Sequence, residues 1–164
     1  MIVNTATSAL AMLGVSLLAS SQLQPRPLTA FPSELRSLVS ELSAYGFAVR
    51  IALPPVRQAY GLYQPSSRTI WVSPLSFELG IARQTLLHEA VHAVQSCPSD
   101  VLSPIGWQFP LSPVVKRQVD MILYNNYHHS SRKLEEEAFG IQGQPNATSL
   151  LIKALRQRCL KVRN

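Results

Sequence analysis

Residues 85–94 read TLLHEAVHAV, and this stretch decides how the rest of the chain must fold. Leu87, Val91 and Val94 recur at the spacing of an α-helix, so one side of the segment is continuously apolar. An apolar side of this kind must be covered by other parts of the chain. The pattern therefore predicts a long helix over residues 76–96 that packs inside a domain.

The same stretch contains the sequence His-Glu-x-x-His, with His88 and His92 one helical turn apart. At about 100° per residue the two imidazoles project within about 40° of each other, so both can bind one metal ion. Glu89 lies beside them, and its carboxylate can accept a proton from a metal-bound water. The alternative is a pair of core histidines beside a salt-bridged glutamate, but burying these three polar groups without a metal is costly.

A catalytic metal site of this kind needs a third protein ligand and leaves a position for water. Metzincin enzymes continue the motif with a glycine and a third histidine, and here Gln95 and Pro98 occupy those positions, so that class is excluded. The remaining downstream candidates are Cys97, Asp100, Asp120, His128, His129, Glu135, Glu136, Glu137 and Cys159. The first two follow the motif too closely to fold back. We favour the cluster 135–137, which lies on a predicted helix beside a small alanine.

With these residues the chain resembles the gluzincins, His-Glu-x-x-His metallopeptidases whose third zinc ligand is a downstream glutamate. In that clan the glutamate often occurs as Glu-x-x-Ala-Asp or as Glu-Ala-Phe; the first pattern makes Glu135 the ligand and the second makes it Glu137. On a helical wheel Glu135 lies within the arc of apolar side chains, Glu137 on its flank and Glu136 on the opposite side, which favours Glu135. The resemblance implies a Zn²⁺ ion held by His88, His92 and one of these glutamates.

The sequence departs from the gluzincin pattern at one position. Many gluzincins have an aspartate four residues after the ligand glutamate, where it orients a zinc-binding histidine, and this chain has Phe139 or Ile141 there. The orientation of the histidines must then come from elsewhere, such as a backbone carbonyl or Gln142. The chain looks most similar to minimal gluzincins with the patterns HExxHxxQ and ExEA[FY]xxQ, and the resemblance covers roughly residues 60–144.

Motif and resemblance together indicate a zinc-dependent peptidase in which Glu89 takes a proton from the attacking water and returns it to the leaving amine. One alternative is a zinc-binding protein without peptidase activity, which keeps the fold for stability or partner binding. Another is a basic helical module in which the motif is accidental. The intact Glu89 favours the enzyme, because a structural zinc site has no use for that carboxylate. The candidates for stabilising an oxyanion are Tyr124, Tyr127, His128 and His129.

The remaining pattern predicts an α+β domain of zincin-like type, with a small sheet and a mostly helical C-terminal half. The predicted helices are 34–44, 76–96, 114–127, 131–142 and 148–161, and the predicted strands are 47–53, 60–63 and 69–73. We expect Ser33 to cap the first helix. In zincins the strand before the metal-binding helix is commonly a sheet edge that takes an extended peptide, so residues 69–72 are expected to do so, with an ordinary core strand as the alternative.

The N-terminal segment 1–21 has no charged side chain and contains an apolar run shorter than the about 20 residues that span a bilayer. The small residues 19–21 end it. The pattern predicts a signal peptide cleaved before Gln22, or else an uncleaved N-terminal anchor. Residues 22–32, which contain three prolines, are the predicted linker to a single domain at 33–164.

A signal peptide implies export to a periplasmic or extracellular compartment, with a cytoplasmic location as the alternative. An oxidising compartment would allow Cys97 to pair with Cys159. Two cysteines in 164 residues exclude a disulfide-dense scaffold and a four-cysteine zinc site.

The charge is unevenly distributed along the chain. There are 15 Lys+Arg against 9 Asp+Glu, a formal net charge of +6, and no acidic residue follows Glu137. The C-terminal cations have no aromatic residues among them and no nucleic-acid motif accompanies them, so we expect no nucleic-acid partner. The expected partner is a peptide or protein substrate, the expected state is a monomer, and membrane association is expected only through the N-terminal segment.

Overall fold

The computed structural model of the protein describes residues 23–126 and 132–161, and it is an α+β fold with a small mixed sheet, as the sequence predicts. Its strands are β1 (Ala48–Ile51), β2 (Gly61–Gln64) and β3 (Thr69–Val72). Its helices are α1 (Ser33–Ala44), α2 (Leu75–Glu78), α3 (Ala82–Gln95), α4 (Pro113–Asn126), α5 (Arg132–Gln142) and α6 (Ala147–Arg158). Two 3₁₀ turns lie at Leu28–Ala30 and Pro65–Ser67.

The three strands form one sheet in the order β1-β3-β2. Strand β1 runs parallel to β3, and β2 runs antiparallel to it through a hairpin that ends at Arg68, whose φ is 48°. The expectation that residues 69–72 form a sheet edge is wrong, because β3 is hydrogen-bonded on both sides and is the central strand. Strand β2 is the edge that contacts α3.

The predicted helix 76–96 is divided into α2 and α3. Gly80 has a φ of +69°. This left-handed conformation ends the first helix, and residues other than glycine rarely adopt it. Helix α3 then contains the whole His-Glu-x-x-His sequence. Its predicted inner residues Leu87, Val91 and Val94 are fully buried.

Helix α1 begins at Ser33, which is therefore its first helical residue and not its cap. Pro32 occupies the cap position, with the extended φ of −56° and ψ of 157°, and makes no side-chain hydrogen bond there. Proline suits this position because a backbone N–H at the start of a helix has no partner within the helix.

The core lies around α3, which contacts β2 and β3 on one side and α5 and α6 on the other. The largest fully buried apolar side chains are Phe31, Phe47, Leu35, Leu38, Leu42, Ile70, Leu86, Leu87, Ile141, Leu151 and Leu155. They come from every layer of the domain. The helix with the motif is therefore held from both sides by the apolar core.

The first and last described helices also contact each other. Thr148 Oγ1 donates a hydrogen bond to Glu34 Oε1 at 2.6 Å, and Arg156 Nε donates to Glu41 Oε1 at 2.8 Å. The hydrogen bond and charge of Arg156 lower the pKa of Glu41. Helix α6 thus packs on α1 as well as on α3.

A disulfide joins Cys97, just after α3, to Cys159, just after α6, with the Cα atoms 5.1 Å apart. Next to it Arg158 donates to the backbone oxygens of Pro104 at 2.8 Å and Cys97 at 3.2 Å. The other described C-terminal cations also meet the protein itself: Arg156 pairs with Glu41, Lys153 lies over the Trp107 ring and Lys161 over the Tyr45 ring.

The predicted signal peptide and its cleavage site lie outside the described residues. Within the predicted linker, the backbone N–H of Arg26 donates to Ile51 O at 2.9 Å and Phe31 is buried in the core, so this stretch packs on the domain. Among the residues that the structure describes, no helix has the length and apolar character needed to cross a membrane.

Candidate metal centre

Helices α3 and α5 pack against each other and bring three donor groups to one point. His88 and His92 come from α3, and their Nε2 atoms lie 3.1 Å apart. Glu135 comes from α5, and its carboxylate lies 3.1 Å from His88 Nε2 through Oε2 and 3.4 Å from His92 Nε2 through Oε1. The three groups are close enough to bind a metal ion, which fits a zincin-like His-Glu-x-x-His site.

Two glutamines contact the histidine rings at Nδ1, on the side opposite the converging Nε2 atoms. The Nδ1 atom of His88 lies 2.9 Å from Gln142 Oε1, and that of His92 lies 2.8 Å from Gln95 Oε1. Amide oxygens only accept hydrogen bonds, so the Nδ1 of each neutral ring carries the proton. The lone pair of each Nε2 then points toward the other two metal-binding groups. The Phe139 ring lies against His88 with the ring centroids 4.7 Å apart.

The donor set fits a metal ion on its own chemistry. Lone pairs that converge on one point repel one another unless a positive charge lies between them. A tetrahedral ion with bonds of about 2.0–2.1 Å places its ligand atoms about 3.3–3.4 Å apart. The two Nε2 atoms are 3.1 Å apart, and one carboxylate oxygen of Glu135 lies within 4.8 Å of both of them. Two imidazoles and one carboxylate can therefore supply three ligands of a metal ion.

The electrostatics of the triad agree with this geometry. Burial works to raise the pKa of Glu135, but the hydrogen bonds and charges of His88 and His92 outweigh it and lower that pKa to about 2. Burial works to lower the pKa of His92, and the hydrogen bond and charge of Glu135 outweigh it and raise that pKa. The contact between the two groups thus favours negative charge on Glu135 and positive charge on His92.

Glu89 lies where α3 faces the edge strand β2. A Cβ added at Gly61 would be 2.8 Å from Glu89 Oε1 and 2.9 Å from its Cγ, so the bare glycine backbone makes room for this side chain. The backbone N–H of Tyr63 donates a hydrogen bond to the carboxylate. Burial and the charge of Glu135 raise the pKa of Glu89, against the opposing effect of the two histidines. A carboxylate with a raised pKa is suited to exchange protons near neutral pH.

The other two glutamates of the cluster lie away from the triad. Both carboxylate oxygens of Glu137 accept hydrogen bonds, from the backbone of residues 105–107 and from Gln95. Glu136 is partly exposed and reaches Arg132 at 3.4 Å. Of the two ligands that the sequence leaves open, the structure brings Glu135 to the histidines and does not bring Glu137.

The remaining candidates are also elsewhere or outside the described residues. Asp120 pairs with Arg132, Asp100 pairs with Arg68 at 3.2 Å, and Cys97 and Cys159 are in the disulfide. The Tyr124 side chain is 92% exposed. Tyr127, His128 and His129 lie outside the described residues.

Sequence reasoning missed two residues of the site. The sequence gives Gln95 no role beyond excluding metzincins and completing the HExxHxxQ pattern, yet it is fully buried and orients His92. The signal was its position one turn after His92 on the same helix face. Gly61 was predicted only as part of the strand 60–63, and its role depends on a contact with α3 that no local pattern reveals.

We compared the chain with protein-family models, with curated proteins and with solved structures, and none of them matches it. The metal-binding geometry therefore stands on the described residues alone.

Proposed function

We propose that the protein is a zinc-dependent peptidase of the gluzincin type. The observation that carries the proposal is the position of Glu89, a partly buried carboxylate beside a two-histidine, one-glutamate donor set. Two histidines and a glutamate form the ligand set of several catalytic zinc sites, which leave a position for water. A site that only stabilised the fold would not need a free carboxylate at its side.

The chemistry divides between the donor set and Glu89. A Zn²⁺ ion bound by His88, His92 and Glu135 would polarise a water molecule and a peptide carbonyl. Glu89 accepts a proton from the attacking water and later donates it to the leaving amine. Gln95 and Gln142 keep the two histidine rings in the orientation that ligation requires.

Strand β2 offers a place for an extended peptide. In the described part of the chain β2 pairs with β3 on one side only. Apart from the Tyr63 N–H, which donates to Glu89, its other edge has backbone groups available for a further strand. This edge begins at Gly61, the residue that makes room for Glu89. A peptide or unfolded protein segment lying along β2 would thus pass beside the proposed base.

Export of the protein is part of the proposal. The Cys97–Cys159 disulfide is of the kind that persists in oxidising compartments. The apolar segment at residues 9–19 supplies the expected signal. We therefore propose that the peptidase works outside the cytoplasm.

The decisive experiment compares the full chain with its Glu89→Gln variant. Both should bind about one zinc per chain, measured by metal analysis, because no ligand is changed. The variant should hydrolyse a fluorogenic peptide mixture at least about 100-fold more slowly, since the proton acceptor is lost. Equal zinc content with no hydrolysis by either protein would instead favour the zinc-binding protein without peptidase activity. Equal hydrolysis by both would remove Glu89 from the mechanism.

A further inference from the structure

Glu137 is a buried carboxylate outside the donor triad that nevertheless accepts four hydrogen bonds. The backbone N–H of Ile105 reaches Oε2 at 2.7 Å, and those of Gly106 and Trp107 reach Oε1 at 2.7 and 2.9 Å. The fourth donor is Gln95 Nε2, at 2.8 Å from Oε2. Every partner is a donor, so this position requires a group that only accepts.

The hydrogen bond from Gln95 connects Glu137 to the metal centre. The Gln95 amide nitrogen donates to two acceptors, Glu137 Oε2 at 2.8 Å and Leu134 O at 3.0 Å. These two acceptors fix which end of the amide is nitrogen. The amide oxygen must then face His92, and it lies 2.8 Å from Nδ1 of that ring.

The orientation of this amide decides which ring nitrogen of His92 carries the proton. An amide oxygen at Nδ1 requires N–H there and leaves the Nε2 lone pair for a metal ion. If the amide turned over, its NH₂ group would face Nδ1, and the neutral ring would carry its proton on Nε2. That tautomer cannot bind a metal through Nε2 until the proton is removed.

We propose that Glu137 is a positioning residue of the metal centre, which sets the tautomer of His92 by holding the Gln95 amide in one orientation. The proposal rests on the metal site of the proposed function. The same carboxylate anchors residues 105–107, where Gly106 has a φ of +95°. Glu137 therefore holds the loop at residues 105–107 directly and His92 through Gln95.

A purely structural role makes a different prediction. If Glu137 only anchored the loop, its removal would lower the thermal stability and leave His92 unchanged. If it acts through Gln95, its removal changes the ring of His92, and that change disappears once Gln95 has been replaced. The tautomer and the dependence on Gln95 are therefore the informative readouts.

The first measurement uses the His88→Ala/Glu135→Ala chain, labelled with ¹⁵N and freed of metal, at mildly alkaline pH. In the metal-free wild-type chain His88 Nε2 and Glu135 Oε1 lie 3.1 and 3.4 Å from Nε2 of His92 and would hold a proton there, so both acceptors are removed. Ring ¹⁵N shifts distinguish a protonated Nδ1 from a protonated Nε2. We expect the proton of neutral His92 on Nδ1. A proton on Nε2 in this chain would overturn the proposal.

The second measurement compares variants by competition for Zn²⁺ with a chelator. Adding Glu137→Ala to the His88→Ala/Glu135→Ala chain should raise the Nε2–H fraction of His92. In the wild-type background Glu137→Ala should weaken zinc binding about 10- to 100-fold, the usual effect of losing a residue that supports a metal ligand. Glu136→Ala removes the neighbouring glutamate, which reaches only Arg132 in the described residues, and should change neither readout. In a Gln95→Leu background, Glu137→Ala should weaken zinc binding no further.

The outcomes separate this proposal from the one it rests on. Wild-type zinc affinity and an unchanged His92 tautomer in Glu137→Ala would refute the role of Glu137 and leave the metal site intact. A wild-type chain that binds no zinc would refute the metal site, and the ¹⁵N spectra would still decide the role of Glu137. Should circular dichroism show that Glu137→Ala does not fold, the isosteric Glu137→Gln takes its place with the same expectations.

Discussion

Replacing Gly61 with alanine tests the packing of α3 against β2 most directly. The added Cβ would lie 2.5 Å from Thr85 Cγ2, 2.8 Å from Glu89 Oε1 and 2.9 Å from Glu89 Cγ. Carbon atoms in ordinary contact are about 3.5–4.0 Å apart, so the shortfall is about 1 Å. The strand cannot simply recede, because Gly61 is paired with Val72 of β3.

This overlap sets the size of the expected effects. Forcing a methyl group into a packed interior costs about 1–3 kcal/mol, so we expect the free energy of unfolding to fall by that amount. Glu89 must also move by about 0.6 Å to bring its Cγ from 2.9 Å to ordinary contact, and we expect this displacement to lower kcat/KM by up to about 100-fold. The zinc content should not change, because neither the histidines nor Glu135 is touched.

The assay combines chemical denaturation, metal analysis and peptide hydrolysis. Gly143→Ala is the matched control, because a Cβ there would lie no closer than 3.4 Å to its neighbours. Adding Thr85→Ser removes the methyl group at 2.5 Å and should restore part of the stability without restoring hydrolysis. Wild-type stability and hydrolysis in Gly61→Ala would refute both the packing and the position of Glu89.

Three further predictions concern the metal and the covalent link. Glu135→Ala should abolish stoichiometric zinc binding by metal analysis, and loss of zinc only in Glu137→Ala would show that the wrong carboxylate was assigned. Zinc affinity should decrease as the pH is lowered, because the raised pKa of His92 in the metal-free protein lets protons compete with zinc for Nε2. Below that pKa, each proton that zinc displaces should lower the affinity about tenfold per pH unit. A zinc affinity that does not change with pH would contradict this. Replacing both cysteines should lower the free energy of unfolding by about 4 kcal/mol on the chain-entropy estimate for a separation of 62 residues, and unchanged denaturation curves would contradict it.

Local patterns predicted the parts of the fold that local physics controls. The apolar spacing of Leu87, Val91 and Val94 correctly indicated a buried helix, and the same spacing argument placed Glu135 ahead of Glu137. Each conclusion needed only residues on one helix. The boundaries of most helices were therefore within a few residues of those observed.

Features that depend on distant pairing could not be predicted in the same way. Strand β3 has four residues, and nothing in Thr69–Val72 shows that β1 pairs with it in parallel on its far side. The interruption at Gly80 was hidden because a glycine is tolerated within a helical pattern as well as after one. Gln95 and Glu137 acquire their roles only when α3, α5 and the loop at residues 105–107 meet.

The contact between α1 and α6 has a consequence for how the protein is made. A ribosome synthesises α1 first and α6 more than a hundred residues later, as the separation of 114 residues between Glu34 and Thr148 shows. A nascent chain that ends before α6 already carries both histidines and Glu89. Its first helix then has β1 and Arg83 to contact but lacks α6, and Cys97 lacks its disulfide partner. Because contacts so distant in sequence form late, the apolar surface that α6 covers stays exposed until synthesis is nearly complete.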